Sequence, residues 1–383
     1  MFHFPAVALH RAQLKGEGQD RMLGLDVVER LNRARADLRM GVPVVMTEAG
    51  EGALVVASET LGPARLAAIR VLTDDPVLTI TARRAETLRM SVYDGDLARI
   101  ALPPEAGLAW IGTLADPSHD LAAPMKGPLR ALRGGAVDLH RAGLVLAKSA
   151  QLLPAVVVAP VPAPLRLAAE HGLTLLAFAE IEPLLYRAPA LAPVVSARLP
   201  MRAAGAGRLH VFRPDDGGVE HYAIEVGRPA RDGAPLTRLH SACFTGDVLG
   251  SAKCDCGEQL ATALGAMAAE GGGILLYLNQ EGRGIGLANK LRAYSLQDQG
   301  FDTVQANHRL GFEDDERDFR LGASILRQMG VGRVRLMTNN PAKIRMMQAQ
   351  GIEVADRVPL AVGCTPDNAS YLATKAAKSG HLL

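Results

Sequence analysis

The sequence is short of cysteine, of aromatic residues and of any excess of one charge. Its 383 positions hold four cysteines, one tryptophan and 4% aromatic residues. So few cysteines in so long a chain exclude a disulfide scaffold. Three of them, Cys243, Cys254 and Cys256, fall close together, the grouping of a metal or thiolate site in a reducing compartment. Lys+Arg 42 against Asp+Glu 40 leaves a formal charge of +2, which argues against a broad basic face for nucleic acid or for a membrane surface. No run approaches the ~20 apolar residues that span a bilayer, and residues 1–20 lack the apolar core of a signal peptide; a cytoplasmic setting is expected. What is present, 48% hydrophobic and 21% charged residues, excludes disorder and collagen-like repeats. At ~100–200 residues per domain, the length predicts two domains.

Periodicity predicts a helix over about 20–40, with Leu23, Val27, Leu31 and Leu38 on one stripe. Short apolar runs at 42–46, 53–57, 77–81 and 152–158 read as strands. Helical and strand patterns follow over 165–172, 173–178 and 181–186. Pro189, Pro193 and Pro200 then punctuate a stretch without periodicity, placing a domain boundary at about 188–193. Beyond it the pattern alternates: helix 257–270, strand 274–278, helix 287–299, helix 316–329, strand 334–337, helix 341–350. The fold class expected is α/β, with mixed α+β sheets, in two domains, 1–187 and 193–383.

Cys243-x10-Cys254-Asp255-Cys256 is the sharpest chemical signal. Three thiolates can hold Zn2+ and leave a tetrahedral position open, the mark of a catalytic site; Cys364 or His240 as a fourth ligand would make it structural. The helix starting near Gly257 favours the thiolate through its dipole. A strand followed by Asn279-Gln280-Glu281-Gly282-Arg283-Gly284-Ile285-Gly286 and a helix points backbone N–H groups at an anion, or is a plain turn. Within it, Arg283 suits phosphate oxygens and Glu281 a base amine. Thr338-Asn339-Asn340-Pro341-Ala342-Lys343 is a second strand–loop–helix, either a simple Asn340 cap or an anion site with Thr338 and Lys343. In Glu313-Asp314-Asp315-Glu316-Arg317-Asp318 the carboxylates suit a helix first turn, and the arginine among them is the odd feature.

These blocks, with Arg238-Leu239-His240-Ser241, Tyr294-Ser295-Leu296-Gln297, Ala306-Asn307-His308 and Leu336-Met337-Thr338-Asn339-Asn340-Pro341, resemble GTP cyclohydrolase II over residues 193–383. The resemblance implies zinc on Cys243, Cys254 and Cys256. It implies a GTP site of Arg238, Leu239, His240, Ser241, Ala242, Gln259, Glu281, Gly282, Arg283, Thr303, Thr338 and Lys343. It makes Asp315 a proton acceptor, Arg317 the group acting on the α-phosphate, as nucleophile or charge stabiliser, and Tyr294 a further active-site residue. It implies Mg2+ on the triphosphate and a homodimer. The reaction implied opens the guanine imidazole ring, releasing formate and diphosphate and leaving a diaminopyrimidine ribosyl phosphate, the first step of riboflavin synthesis. A GTP-binding regulator without turnover is the alternative, motivated by Ala242, which stands where the family pattern has Glu and where a magnesium or metal-supporting contact would be lost.

Residues 1–187 resemble a worn 3,4-dihydroxy-2-butanone 4-phosphate synthase through Ala136-Val137-Asp138-Leu139 and His171-Gly172-Leu173. The acidic loop of that family is reduced to Glu48-Ala49-Gly50-Glu51-Gly52-Ala53, and Leu132-Arg133-Gly134 replaces its His-Thr-Glu. The carboxylates for magnesium and the base are thus missing, and an inactive domain is expected rather than a bifunctional fusion. Asp116, His119 and Asp120 read as loop residues.

Overall fold

The computed structural model describes residues 23–360 and 362. Residues 1–20 and Cys364 lie outside them.

The first half carries strands β1 (Val44–Glu48), β2 (Glu51–Ala57), β3 (Val77–Thr81), β4 (Leu97–Ala101), β5 (Ala155–Pro160) and β6 (Leu175–Ala177). Its helices are α1 (Val27–Arg39), α2 (Pro63–Leu72), α3 (Ala82–Thr87), α4 (Leu108–Ala115), α5 (Asp138–Ser149), α6 (Pro164–His171) and α7 (Phe178–Leu185). The strands form one sheet in the order β4-β3-β5-β2-β1-β6, antiparallel except for β1–β6. Its apolar runs are buried on both faces, so alternate residues serve two cores. Val45, Leu54, Val56, Leu78 and Val157 meet α2, α4 and α6 on one side. Val44, Met46, Val55, Val156 and Val158 meet α1, α5 and α7 on the other. Helix α1 starts later than expected, where Asp26 and Glu29 close a reciprocal cap, Asp26 accepting Glu29 N–H at 2.8 Å.

The second half carries β7 (Leu191–Met201), β8 (Gly205–Pro214), β9 (His221–Gly227), β10 (Leu236–Ser241), β11 (Gly272–Leu278), β12 (Arg333–Met337) and β13 (Glu353–Val358). With them come α8 (Cys256–Ala269), α9 (Leu287–Asp298), α10 (Thr303–Leu310), α11 (Arg320–Gln328) and α12 (Pro341–Ala349). The sheet order is β13-β12-β10-β11-β9-β8-β7. Strands β10 to β13 pair in parallel, and β11, β9, β8 and β7 form an antiparallel meander. Each half thus combines helices with a mixed parallel and antiparallel sheet, as expected. Helix α8 covers one face through Ala263, Leu264 and Met267; α11 and α12 cover the other through Leu321, Ile325, Leu326 and Met347.

Two expectations change. The proline-punctuated stretch is strand β7, which tolerates Pro193 and Pro200 because it lies at the sheet edge. The helix expected from Glu316 begins only at Arg320; Asp318 Oδ1 accepts Arg320 N–H at 2.9 Å, and residues 313–318 are loop. Asp315 and Arg317 are therefore loop residues, not part of a first helical turn.

Candidate active site

Parallel strands β10, β11 and β12 end side by side, and the loops after their carboxyl ends close around one cavity, the place where parallel sheets present ligand sites. Arg238, Leu239, His240, Ser241 and Ala242 on and just after β10 line it, with Cys243, Cys254 and Cys256 beyond them. Gln259, Glu281, Gly282, Arg283, Tyr294, Thr303, Arg317, Thr338 and Lys343 complete the predicted set. Of the catalytic, GTP and zinc residues that the resemblance implies, Asp315 alone is not in the lining; it is paired to Arg317.

The three cysteines offer sulfurs that all lie within 4.8 Å of one another, and Cys243 Sγ is 3.7 Å from Cys254 Sγ. Two sulfurs bound at ~2.3 Å to one tetrahedral ion would be about 3.8 Å apart, so this donor set fits a soft, four-coordinate metal. Hydrogen bonds from Cys254 and Cys256, against the opposing effect of burial and aided by the Lys290 ammonium, hold Cys243 far below the ordinary thiol range. Cys254 and Cys256 are displaced upward. Glycine is required at 246: a Cβ there would lie 2.9 Å from Cys254 Sγ and 3.1 Å from Cys243 Sγ.

Three residues that sequence reasoning passed over hold this centre. Lys290 Nζ reaches Cys243 Sγ at 3.0 Å, Thr245 Oγ1 at 2.9 Å and Glu281 Oε1 at 2.8 Å. Asp247 accepts from His240 Nε2 at 3.1 Å, from the Tyr277 hydroxyl at 2.8 Å and from Cys243 N–H at 3.0 Å. The Tyr277 ring stacks on His240 at 5.5 Å. The only cue was position: Lys290 stands four residues after Gly286, in the first turn of a helix that follows a candidate anion loop, and Asp247 stands four after a cysteine.

Burial pulls Arg238 down to about 10 against the carboxylates and Cys256 around it. Asp255 receives Gln259 Nε2 at 2.5 Å, Gln259 Oε1 accepts from Arg238, and Arg238 Nη1 reaches Met337 O at 3.4 Å. Arg238 Nε and His240 Nδ1 are buried without a protein partner. Buried polar atoms without partners mark places where a ligand or water completes the bonding. Lys343 Nζ donates to Leu239 O at 2.9 Å. Asn340 caps α12, accepting Ala342 N–H at 2.9 Å, so the structural reading of that residue is correct.

The glycine-rich loop runs with positive φ at Gly282, Arg283, Gly284 and Gly286. A Cβ at Gly284 would lie 2.8 Å from Glu316 O, so glycine there permits close approach of the acidic loop. Gln280 Nε2 to Asp318 O at 2.8 Å and Arg283 Nη1 to Asp314 O at 3.1 Å zip the two loops together. Glu281, read as an acceptor for a base amine, already accepts from Phe244 N at 2.6 Å and Gly282 N at 3.0 Å as well as from Lys290. Arg317 is gripped by Asp315 through Nε at 2.7 Å and Nη2 at 2.5 Å, and its Nη1 reaches Ser241 Oγ at 3.4 Å. Burial raises Asp315, but the Arg317 guanidinium outweighs it and holds the carboxyl below its usual range.

Residues 192–359 match the family model of GTP cyclohydrolase II. A GTP cyclohydrolase-2 of Azospirillum brasilense is 43% identical over 361 residues, covering 92% of this chain and 93% of the relative. The chain belongs to the GTP cyclohydrolase II family. A GTP cyclohydrolase-2 of Azotobacter vinelandii is 54% identical over 191 residues, 50% of this chain and 91% of its own length. The Azospirillum brasilense relative therefore matches both sheets, whereas the shorter one matches a stretch half as long. A solved two-domain 3,4-dihydroxy-2-butanone 4-phosphate synthase from A. baumannii aligns over 88% of this chain and 100% of its own, with a TM-score of 0.32 and 20% identity; so distant a likeness establishes nothing further. As a member of a family of hydrolases, the chain is an enzyme. No helix among the described residues is long and apolar enough to cross a membrane.

Proposed function

We propose that this chain hydrolyses GTP to 2,5-diamino-6-(5-phosphoribosylamino)pyrimidin-4-one, formate and diphosphate, with zinc on Cys243, Cys254 and Cys256. The observation that carries the reading is that the cysteine trio opens on the same cavity as Arg238, Arg283, Arg317 and Lys343. A triphosphate needs such cations, and a purine whose C8 must be attacked needs an activated water nearby. Bound zinc supplies Lewis acidity, which makes water a competent nucleophile near neutral pH. The products require three waters, two at C8, for ring opening and deformylation, and one at the phosphoanhydride between the α- and β-phosphates.

The side chains divide this work. Arg238, with an unpartnered Nε, and Lys343 bind phosphate or base oxygens, and magnesium enters with the triphosphate. Asp247 fixes the proton of His240 on Nε2, so Nδ1 is left as an unpartnered acceptor. Tyr294, raised above the ordinary phenol range chiefly by burial, stays protonated and donates. Arg317 stabilises charge on the α-phosphate. A guanidinium with pKa above ~12 is a poor nucleophile, and an Asp315 already paired to it on two prongs is a poor base but a good orienter. The same reading takes the enzyme as a cytoplasmic homodimer. Exposed Val194, Val195 and Leu199 on edge strand β7 offer a contact surface, and residues 1–187 form a domain without chemistry of its own.

Incubation with GTP, followed by formate release and the absorbance of the pyrimidine product, tests the proposal. The wild type should release both formate and diphosphate, and Cys254→Ser should lose metal and ring opening together. Ala242 favours one other reading, a GTP-binding protein without turnover. Tight GTP binding with neither product released would establish that reading and end the first.

A further inference from the structure

Glu316 stands between Asp315 and Arg317, and the chemistry above does not use it. Its carboxylate is shared: Oε1 lies 2.6 Å from Lys148 Nζ, on the last turn of α5, and accepts Glu313 N–H at 3.0 Å. Its own N–H donates to Arg283 O at 3.0 Å. One residue therefore joins the first half of the chain, the acidic loop and the glycine-rich loop. The Lys148 and Glu316 side chains are only 25% and 23% exposed, so the pair is less screened than a surface ion pair.

Two more first-half side chains grip the same loop. Arg83 holds the Glu313 carboxylate with Nε at 3.0 Å and Nη2 at 2.9 Å. Thr81 Oγ1 donates to Gly311 O at 2.8 Å in a buried contact. Residues 312–318 belong to no helix or strand, so no ladder fixes their backbone. What fixes it comes from the glycine-rich loop, from α10, where Asn307 Nδ2 donates to Glu313 O at 3.4 Å and His308 Nε2 meets Asp314 Oδ1 at 2.8 Å, and from the first half.

We propose that Lys148, acting through Glu316, is a positioning residue for Arg317 and Asp315, so that the first half sets the geometry of a site it does not enter. The inference rests on reading the cavity as a GTP-hydrolysing site. Without the ammonium, Glu316 keeps only its backbone partners, and the segment that carries Arg317 gains freedom. Arg238, Thr338 and Lys343 stand on β10, just after β12 and on α12, elements outside that segment, so the GTP contacts they make are preserved while the chemical step suffers.

The test uses the full chain as wild type, Lys148→Met, which keeps bulk without charge, and Lys148→Arg, which keeps the charge. Lys148→Met should lower kcat for formate release about 10–100-fold, the scale of a small misplacement of a reacting group. Its KM for GTP and metal content should stay near wild type, and Lys148→Arg should recover most of the lost kcat. Amide hydrogen exchange over residues 311–318 should be faster in Lys148→Met than in wild type. A wild-type kcat in Lys148→Met, or equal losses in the Met and Arg variants, overturns the proposal. If the wild type itself releases no formate from GTP, the functional reading fails, and exchange decides the positioning role alone. Faster exchange in Lys148→Met then upholds it, and equal exchange overturns it.

Discussion

At the scale of single residues, the thiolate centre is set by what surrounds the sulfurs as much as by the sulfurs. Gly246 is the sharpest case, because its missing side chain is the space in which Cys243 and Cys254 converge. Gly246→Ala would place a methyl within 2.9 Å of Cys254 Sγ and of Cys256 Cβ, so either the sulfurs part or the turn Phe244–Val248 shifts. We expect the variant to fold, since Gly246 has a negative φ that alanine adopts readily, and to lose metal affinity by about 10–100-fold, the range found when supporting groups of a metal site are altered. Titration with a chromophoric zinc chelator measures this; wild-type affinity would show that the turn yields freely. The cysteines themselves were legible in the sequence because their spacing is a chemical statement. Lys290 and Asp247 were not, since a lysine in a helix and an aspartate in a turn are ordinary, and only the fold brings one to 3.0 Å from a sulfur and the other beneath His240.

At the scale of elements, β11 and β12 were readable as apolar runs, and the loops after them as glycine-rich or capped; β10 was not, because Thr237, Arg238, His240 and Ser241 interrupt its apolar pattern. In the meander β7–β8–β9, strand β7 was not readable either, because an exposed edge strand carries prolines and polar residues in place of a pattern. The onset of α11 was misread because carboxylates ahead of a helix look the same whether they lie in its first turn or in the loop before it. One strand of the meander also makes the stability of the chain pH-dependent. His221, on β9 and 4% exposed, accepts Asn279 N–H on Nδ1 at 3.0 Å, at the entry to the glycine-rich loop. Burial lowers its pKa to about 4, and His140, which meets Thr79 Oγ1 at 2.7 Å, is likewise lowered to about 4 by burial. Both would titrate near ~6.5 when unfolded. Between those values the unfolded chain binds more protons than the folded one, so the stability each contributes is complete above pH ~6.5 and is lost as pH falls towards 4, by at most ~1.4 kcal/mol per pH unit for each histidine. Urea midpoints measured from pH 7 to pH 4.5 should therefore fall. His221→Gln, whose amide oxygen can still accept from Asn279, should flatten that slope, and an unchanged slope would remove His221 from the account.

At the scale of the whole molecule, the two halves share a core and differ in what they can do. Leu153 of the first half is buried in one cluster with Ile285, Ala293, Leu296, Leu310 and Phe312 of the second. Arg292 pairs with Glu59 at 2.8 Å, and Asn289 Nδ2 donates to Gln151 O at 3.0 Å. Such a seam could serve a second active site as well as a scaffold, and the composition of the first half decides between them. The Glu48–Ala53 segment is the tight turn of the β1–β2 hairpin, with Ala49 and Gly50 both at positive φ between paired Glu48 and Glu51. Burial first, then Asp138, Glu182 and Glu51, raise the Glu48 carboxyl above its usual range, so it is less inclined to ionise. Among the described residues, no His, Cys, Asp and Glu side chains outside the cysteine trio come close enough in threes to share an ion. Asp116 and Asp120 are spent on the fold, Asp116 accepting Ser118 N–H at 2.9 Å and Asp120 pairing with the buried Arg84. We expect no sugar-phosphate lyase reaction from the first half, because that chemistry needs magnesium and a base beside a carbonyl. The full chain, given ribulose 5-phosphate and magnesium, should therefore produce no dihydroxybutanone phosphate above the uncatalysed background. Formate alone does not discriminate, since both chemistries release it, so the two substrates must be supplied separately. Formate from GTP alone fits a first half retained as scaffold; turnover of ribulose 5-phosphate would mean that the β1–β2 turn and Asp138 still assemble a site when the sugar phosphate and its metal arrive together.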